Sequence, residues 1–388
     1  MDHIFIIGGI LFFLFFLVNY LFQKLKLPFL LAYIFLGIGF AGLFTETELA
    51  TLEQISRMGI VLLFFLHGLQ FPLNRLVNIS RRIWKVGIMD IVLSFGFSVL
   101  LAYLLGFELI SALIIGGVAY ASSSSITIRM IEDNKRGHFP EGEFKLGLLI
   151  FEDLFAPIMI SFLVGLIQIG TVTANSMLFI FSKVVILTIA SLLLAYYGFR
   201  KADLFLHRYL KKKFIPLLAV SIALFFAGIA EYMGVSKLLG AFLAGVMLSE
   251  TGTSRELDRM IEPVKNLFMP FFFFWFGTSI ILGTGVGKPF SLILLIIWGF
   301  LAKMIVGFWG GRIYGLTKKG SIRSALSLGQ RGEFSVVIAA LAETFLSVFL
   351  GIYIAATAII GVYFFRMAPI WTEKITLLIK EKKYFWGK

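Results

Sequence analysis

Glu152 and Asp153 stand side by side inside the apolar run FKLGLLIFEDLFAPIMISFLVGLIQ, which extends from Phe144 to Gln168. The hydrocarbon core of a bilayer takes about 20 helical residues at ~1.5 Å of rise each, so this pair falls well inside it. A buried charge there costs about 2.5 to 3.5 kcal/mol on insertion scales, and a segment that only had to span would carry leucine instead. Two basic residues interrupt other apolar runs, Lys303 in LIIWGFLAKMIVGFWGG and Arg331 in SLGQRGEFSVVIAAL, and are the natural counter-charges. Polar atoms recur at two more places, the serines Ser122, Ser123, Ser124 and Ser125, and the segment Gly329-Gln330-Arg331-Gly332-Glu333. Hydroxyls, carboxylates and freed backbone carbonyls are hard oxygen donors of the kind that hold Na⁺ or K⁺. An acid held inside the bilayer is by default functional, so Asp153 is a candidate site residue.

The rest of the chain is built to carry such a site through a membrane. Its 388 residues are 59% hydrophobic and 15% charged, with a mean hydropathy of +0.95. A soluble domain is about 45 to 50% apolar and about 25% charged, so the composition predicts an all-α polytopic membrane protein. No cysteine is present, which excludes disulfides and thiolate chemistry. The first apolar run, Ile4 to Phe22, follows an acidic start and has no cleavage signature, so it reads as a retained helix. No Walker motif, zinc-ligand spacing or Ser/His/Asp constellation stands out; no enzyme and no cofactor is expected.

Apolar spans number about thirteen: 4–22, 28–44, 55–71, 84–105, 109–131, 144–169, 177–199, 214–232, 236–250, 264–283, 289–311, 321–342 and 344–370. The net charge of +13 is distributed by topology. Alternate loops collect most Lys and Arg, among them Arg81, Arg82, Lys85, Lys135, Arg136, Lys201, Arg208, Lys211 to Lys213, Lys318 and Lys319, while the opposite loops carry Glu46, Glu48, Glu53, Glu108, Glu231 and Glu343. The positive-inside rule then places the N-terminus outside and the C-terminus in the cytoplasm, in a plasma (inner) membrane. The basic charge needs no nucleic acid.

Two spans are interrupted in corresponding places. The fifth contains Ser122 to Ser125, whose hydroxyls compete with the helical ladder. The twelfth contains two glycines around Gln330 and Arg331. Paired interrupted segments in two halves point to a transporter site near the midplane of an inverted repeat, with spans four to six and eleven to thirteen as the repeats. The plainer readings are small-residue helix packing for the serines and an intrahelical Arg331–Glu333 pair. Glu152 reads equally as a salt bridge that locks Lys303 and as a direct ion or proton carrier. Asp90 is expected to reach the cytoplasmic interface near Arg81 and Lys85 by snorkelling. His67 reads as a packed core histidine, Glu250 as interfacial, and Phe271 to Trp275 as a lipid-facing or packing aromatic run.

These segments together resemble the cation:proton antiporter-2 family, the sodium/proton and Kef-type potassium/proton exchangers with the NhaA/NapA-like fold. LPFLLAYIFLGIGF (27–40), GIVLLFFLHGLQF (59–71), ASSSSITIRMIED (121–133), LLIFEDLFAPI (148–158), AKMIVGFWGGR (302–312) and LGQRGEFSVVIA (328–339) carry the resemblance along almost the whole chain. The likeness implies an inverted repeat with two broken crossing helices. It implies dimerisation-domain helices in 1–75 and 214–283, core repeats in 84–170 and 289–370, a linker helix at 177–199 and a short cytoplasmic tail, 371–388. Asp153 then matches the aspartate that binds cation and proton in turn, Glu152 the variable residue before it, and Lys303 the lysine that pairs with that residue. Ser122 to Ser125 match the opening of one crossing helix, and Gln330, Arg331 and Glu333 lie in the other. Electrogenic sodium/proton members carry Asp-Asp here, Kef-type members Gln-Asp and electroneutral members Asn-Asp; this chain has Glu-Asp.

The function so implied is exchange of Na⁺ or K⁺ for protons by a homodimer, with an elevator-like movement of the core. A second proton travelling on Glu152 or Lys303 would make it electrogenic. Larger Kef-type members carry a cytoplasmic nucleotide-binding domain that these residues lack, so this chain is a short form, a piece of a longer one, or regulated by a separate cytosolic subunit. A cation channel and a sodium-coupled symporter of related fold share the same sequence features.

Overall fold

The computed structural model describes residues 4–133, 139–170, 172–199, 214–281, 283 and 285–385. The basic residues Lys135, Arg136, Lys201, Arg208, Lys211, Lys212, Lys213 and Lys388 lie outside them. Among the described residues all regular structure is helical, with no strand. Eight helices are long and apolar enough to cross a membrane, and three shorter apolar ones, Phe29–Gly39, Leu109–Tyr120 and Lys237–Ser249, lie between them. The chain divides into two compact units, residues 1–78 with 154–283, and residues 79–153 with 284–388.

In the first unit, glycines replace side chains where helices meet. Gly37 and Gly277 face one another so closely that a Cβ on either would stand 2.8 to 2.9 Å from the other's Cα, and Gly68 and Gly245 repeat the arrangement at 2.9 to 3.0 Å. With little hydrophobic drive between helices in lipid, such close backbone approach is what holds them. Phe271, Phe272, Phe273, Phe274 and Phe276 fill the space beside these crossings and are buried. Phe15 lies edge-on to Phe271 and Phe274 at 5.1 and 5.5 Å, so the aromatic run packs inside the protein. The Glu46–Leu69 helix starts on a capping box, with the Thr45 hydroxyl accepting from the Glu48 N–H and the Glu48 carboxylate accepting from the Thr45 N–H. His67 sits in its last turn with Nδ1 2.9 Å from the Leu63 carbonyl oxygen, as a packed histidine should.

The second unit is built around interruptions. The helix Leu73–Asp90 runs straight into a π-helical turn, Ile91–Gly96, before Phe97–Leu104. The helix Pro289–Ile305 does the same into Val306–Gly310. Two helices are broken outright, Leu109–Tyr120 from Ser124–Asp133 and Lys318–Ala325 from Glu333–Ala339. Ile83, Val86, Phe144, Leu148, Val306, Leu316 and Leu328 form an apolar core that joins the first π-associated helix, the acidic helix Pro140–Ile169, the second π-helical turn and the second break. The last helix, Thr344–Phe385, carries the expected thirteenth span and continues into the expected tail as far as Phe385. Within this helix, the Trp371 and Phe364 rings meet edge-on at 5.1 Å.

Candidate functional site

The two breaks meet. At Ala121 the backbone turns extended (φ −71°, ψ 113°), which ends the helix and frees the next peptides. Ser123 then donates its N–H to the Gln330 carbonyl at 3.0 Å, and Ser122 pairs antiparallel with Arg331. Backbone groups that each helix leaves unpaired are thus satisfied by the other, as burial demands. Gly332 is required by the approach itself, because a Cβ there would overlap the Ser123 side chain. The Gln330 amide donates to the Thr127 hydroxyl, and Ser335 donates to the carbonyls of Val118 and Ala121 at 3.0 and 2.8 Å, closing the crossing from both sides.

Glu333 opens the short helix beyond the crossing, where the positive end of the peptide dipoles favours its charge. Its carboxylate accepts from Ser125 at 2.6 Å, Ser123 at 3.2 Å and Ser124 at 3.5 Å. The Ser124 hydroxyl also lies 3.4 Å from Asp153. Asp153 and Glu333 therefore share one serine, and both are buried. Glu333 is engaged by these hydroxyls, and among the described residues Arg331 forms no ion pair with it. Arg331 instead donates to the Gly299 and Gly329 carbonyls at 3.3 and 3.4 Å, with the Tyr353 hydroxyl beside it in space that a side chain at Gly299 would take.

Glu152 points elsewhere, as the ~100° between neighbours on a helix requires. It accepts the Ser122 N–H at 2.7 Å, the Ser122 hydroxyl at 3.3 Å and the Lys303 ammonium at 3.0 Å. Lys303 is fully buried, and its ammonium also lies 5.2 Å from the Tyr120 ring centroid. It donates as well to both carboxylate oxygens of Asp90, at 2.9 and 2.8 Å, and Asp90 accepts from Ser94 at 2.6 Å. The snorkelling expected of Asp90 is therefore wrong. Asp90 is wholly buried, and its carboxylate serves as the counter-charge of Lys303.

All residues singled out above, Ser122 to Ser125, Glu152, Asp153, Lys303, Gln330, Arg331 and Glu333, lie within the second unit and around one crossing. To them the structure adds Asp90, Ser94 and Thr127. The signal for Asp90 was present in the sequence as an acid inside an apolar span, the same signal that singled out Asp153. Four carboxyl groups (Asp90, Glu152, Asp153, Glu333) share this buried region with two permanent or paired cations (Lys303, Arg331), so the fully ionised set has two negative charges in excess. Low-dielectric burial does not tolerate such an excess, and cations or protons must offset it.

Comparison with known proteins fits this chemistry. The family described as "Sodium/hydrogen exchanger, transmembrane" matches residues 10–376. The chain is 44% identical over 362 residues to the ammonium/H⁺ antiporter subunit AmhT of Alkalihalophilus pseudofirmus, covering 93% of this chain and 92% of that one. It is 32% identical over 321 residues to the K⁺/H⁺ antiporter subunit KhtU of Bacillus subtilis, covering 80% and 78%. The fold is similar to that of the sodium/proton antiporter MjNhaP1 of Methanocaldococcus jannaschii, with a TM-score of 0.68, 15% identity, and 96% of this chain and 99% of that one covered.

Proposed function

The chain belongs to the sodium/hydrogen exchanger family, and on that premise we propose that it is a secondary antiporter exchanging K⁺ or Na⁺ for protons, with Asp153 as the group that binds each in turn. The observation that carries this reading is the shared Ser124 hydroxyl between two buried carboxylates, Asp153 and Glu333, in a region with an excess of acids. With both ionised, their oxygens and the hydroxyls of Ser124 and Ser125 form a hard-donor set for one dehydrated monovalent cation. A proton on Asp153 removes the charge that holds the cation. Exchange follows if only the occupied forms cross, because an empty, ionised site would carry its excess charge through the barrier.

Three further features belong to the same reading. The unit that carries the site moves as a body in an elevator-like cycle, with the glycine-packed unit serving as the scaffold of a homodimer. The N-terminus lies outside and the C-terminus in the cytoplasm, as the placement of basic residues supports. A separate subunit regulates exchange, in line with AmhT and KhtU, which are both described as antiporter subunits. The AmhT likeness also supports ammonium as a carried cation, since the donor set consists of hydrogen-bond acceptors that a tetrahedral NH₄⁺ can use.

Purified protein in proteoliposomes with a lumenal pH dye tests the reading. Imposed gradients of K⁺, Na⁺ and NH₄⁺, with protein-free vesicles as control, should each be scored for proton movement against the cation gradient. At least one cation should drive proton countermovement that saturates with concentration. Currents with no dependence on the proton gradient would identify a channel and overturn the proposal.

A further inference from the structure

Asp90 is a buried charge to which the exchange cycle above gives no task. Its carboxylate holds the Lys303 ammonium through both oxygens, at 2.9 and 2.8 Å, whereas Glu152 reaches the same ammonium through one, at 3.0 Å. Glu152 has other donors, the Ser122 N–H and hydroxyl. Lys303 has no such reserve of anions: if Glu152 turned to a cation or a proton, an unpaired ammonium in an apolar core would cost several kcal/mol. A second carboxylate removes that cost.

The placement of the two residues reinforces this. Asp90 ends its α-helical segment directly before the π-helical turn Ile91–Gly96, and Lys303 lies three residues before the π-helical turn Val306–Gly310. The two host helices are the first members of the two halves of the second unit, and each departs from α geometry beside its charged residue. π-Bulges add a residue to a turn, re-aim what precedes them, and recur at functional sites. Ser94, inside the first π-helical turn, donates to Asp90 at 2.6 Å and fixes the carboxylate that fixes the lysine.

We propose that Asp90 is the positioning residue of Lys303. It keeps the ammonium at one place in the core throughout the cycle, so that Glu152 exchanges partners beside the cation site without stranding a positive charge. The inference rests on the exchange reading above. It adds that the lysine is anchored by the 84–105 span and not only by its neighbour on the acidic helix. Removing the Asp90 charge leaves Glu152 alone to hold Lys303 and ties it to the lysine, away from the cation site, so cation affinity should fall.

The test compares wild type, Asp90→Asn, Asp90→Glu, Lys303→Ala and the Asp90→Asn/Lys303→Ala double variant in proteoliposomes. Asp90→Asn should raise the apparent KM for the cation about tenfold with little change in maximal rate, Asp90→Glu should recover most of the affinity, and the KM effect should vanish in the Lys303→Ala background. A wild-type KM in Asp90→Asn, or loss of maximal rate alone, would overturn the proposal, as would an equal KM rise without Lys303. If Asp90→Asn folds but is too unstable for transport assays, the melting temperatures decide: the double variant should melt higher than Asp90→Asn, and equal melting temperatures overturn the pairing role. Wild-type protein that exchanges nothing refutes the exchange reading itself, and the inference with it, an outcome distinct from the others.

Discussion

At the scale of residues, the account turns on which side chains share donors. The Ser124 hydroxyl lies within 3.5 Å of both Asp153 and Glu333, so the proposed cation site takes in the second acid as well as the first. Glu333→Gln removes one ionised ligand; hydrogen bonds and contacts to charged groups are worth roughly 1.5 to 3 kcal/mol, so the cation KM should rise about tenfold or more, as proteoliposome titration would read. An unchanged KM would remove Glu333 from the site. Asp153, Glu152, Lys303 and the serines were legible in the sequence because each violates the apolar rule of its span. Their pairings were only partly so. Asp90 lies 213 positions from Lys303, and Glu333 lies 208 from Ser125. Spacing along one helix can place a charge in the membrane but cannot say which distant charge it meets. For the same reason the nearby Arg331 offers itself as a plainer partner for Glu333, two residues away, while the fold brings serines to it instead.

At the scale of elements, the broken helices were readable from serines and glycines, whereas the π-helical turns at Ile91–Gly96 and Val306–Gly310 left no comparable mark in composition. The crossing depends on Gly332, and overpacking of a fitted contact costs about 1 to 3 kcal/mol. Gly332→Ala should therefore lower the melting temperature in detergent and reduce exchange together, since the displaced backbone carries Ser123 and Glu333. A variant with wild-type stability would show that the crossing has more room than the geometry allows. Outside the membrane spans, burial first and then Glu262 push the Asp258 carboxyl above its ordinary value, with Gln70, Lys265 and His67 opposing. A folded-state pKa above the unfolded one means that stability falls as pH rises from the unfolded value, ~3.9, through the folded one. Asp258→Asn should accordingly melt slightly higher than wild type at neutral pH, with the gain disappearing near pH ~4. A gain that grows on acidification would contradict that sign.

At the scale of the molecule, composition and the alternation of basic loops were enough to read an all-helical membrane protein, and family membership agrees. The chain divides into a glycine-packed unit and a unit of interrupted helices. The proposed roles assign the scaffold to the closely packed backbones and the ion site to the broken helices with their buried charges. The whole account stands on Asp153 as the group that cation and proton share, and the most direct test is cation-driven proton movement in proteoliposomes by wild type and Asp153→Asn at matched melting temperature. The account predicts saturable exchange in the first and none in the second, for every cation the wild type carries. Exchange by Asp153→Asn at the wild-type rate would contradict it.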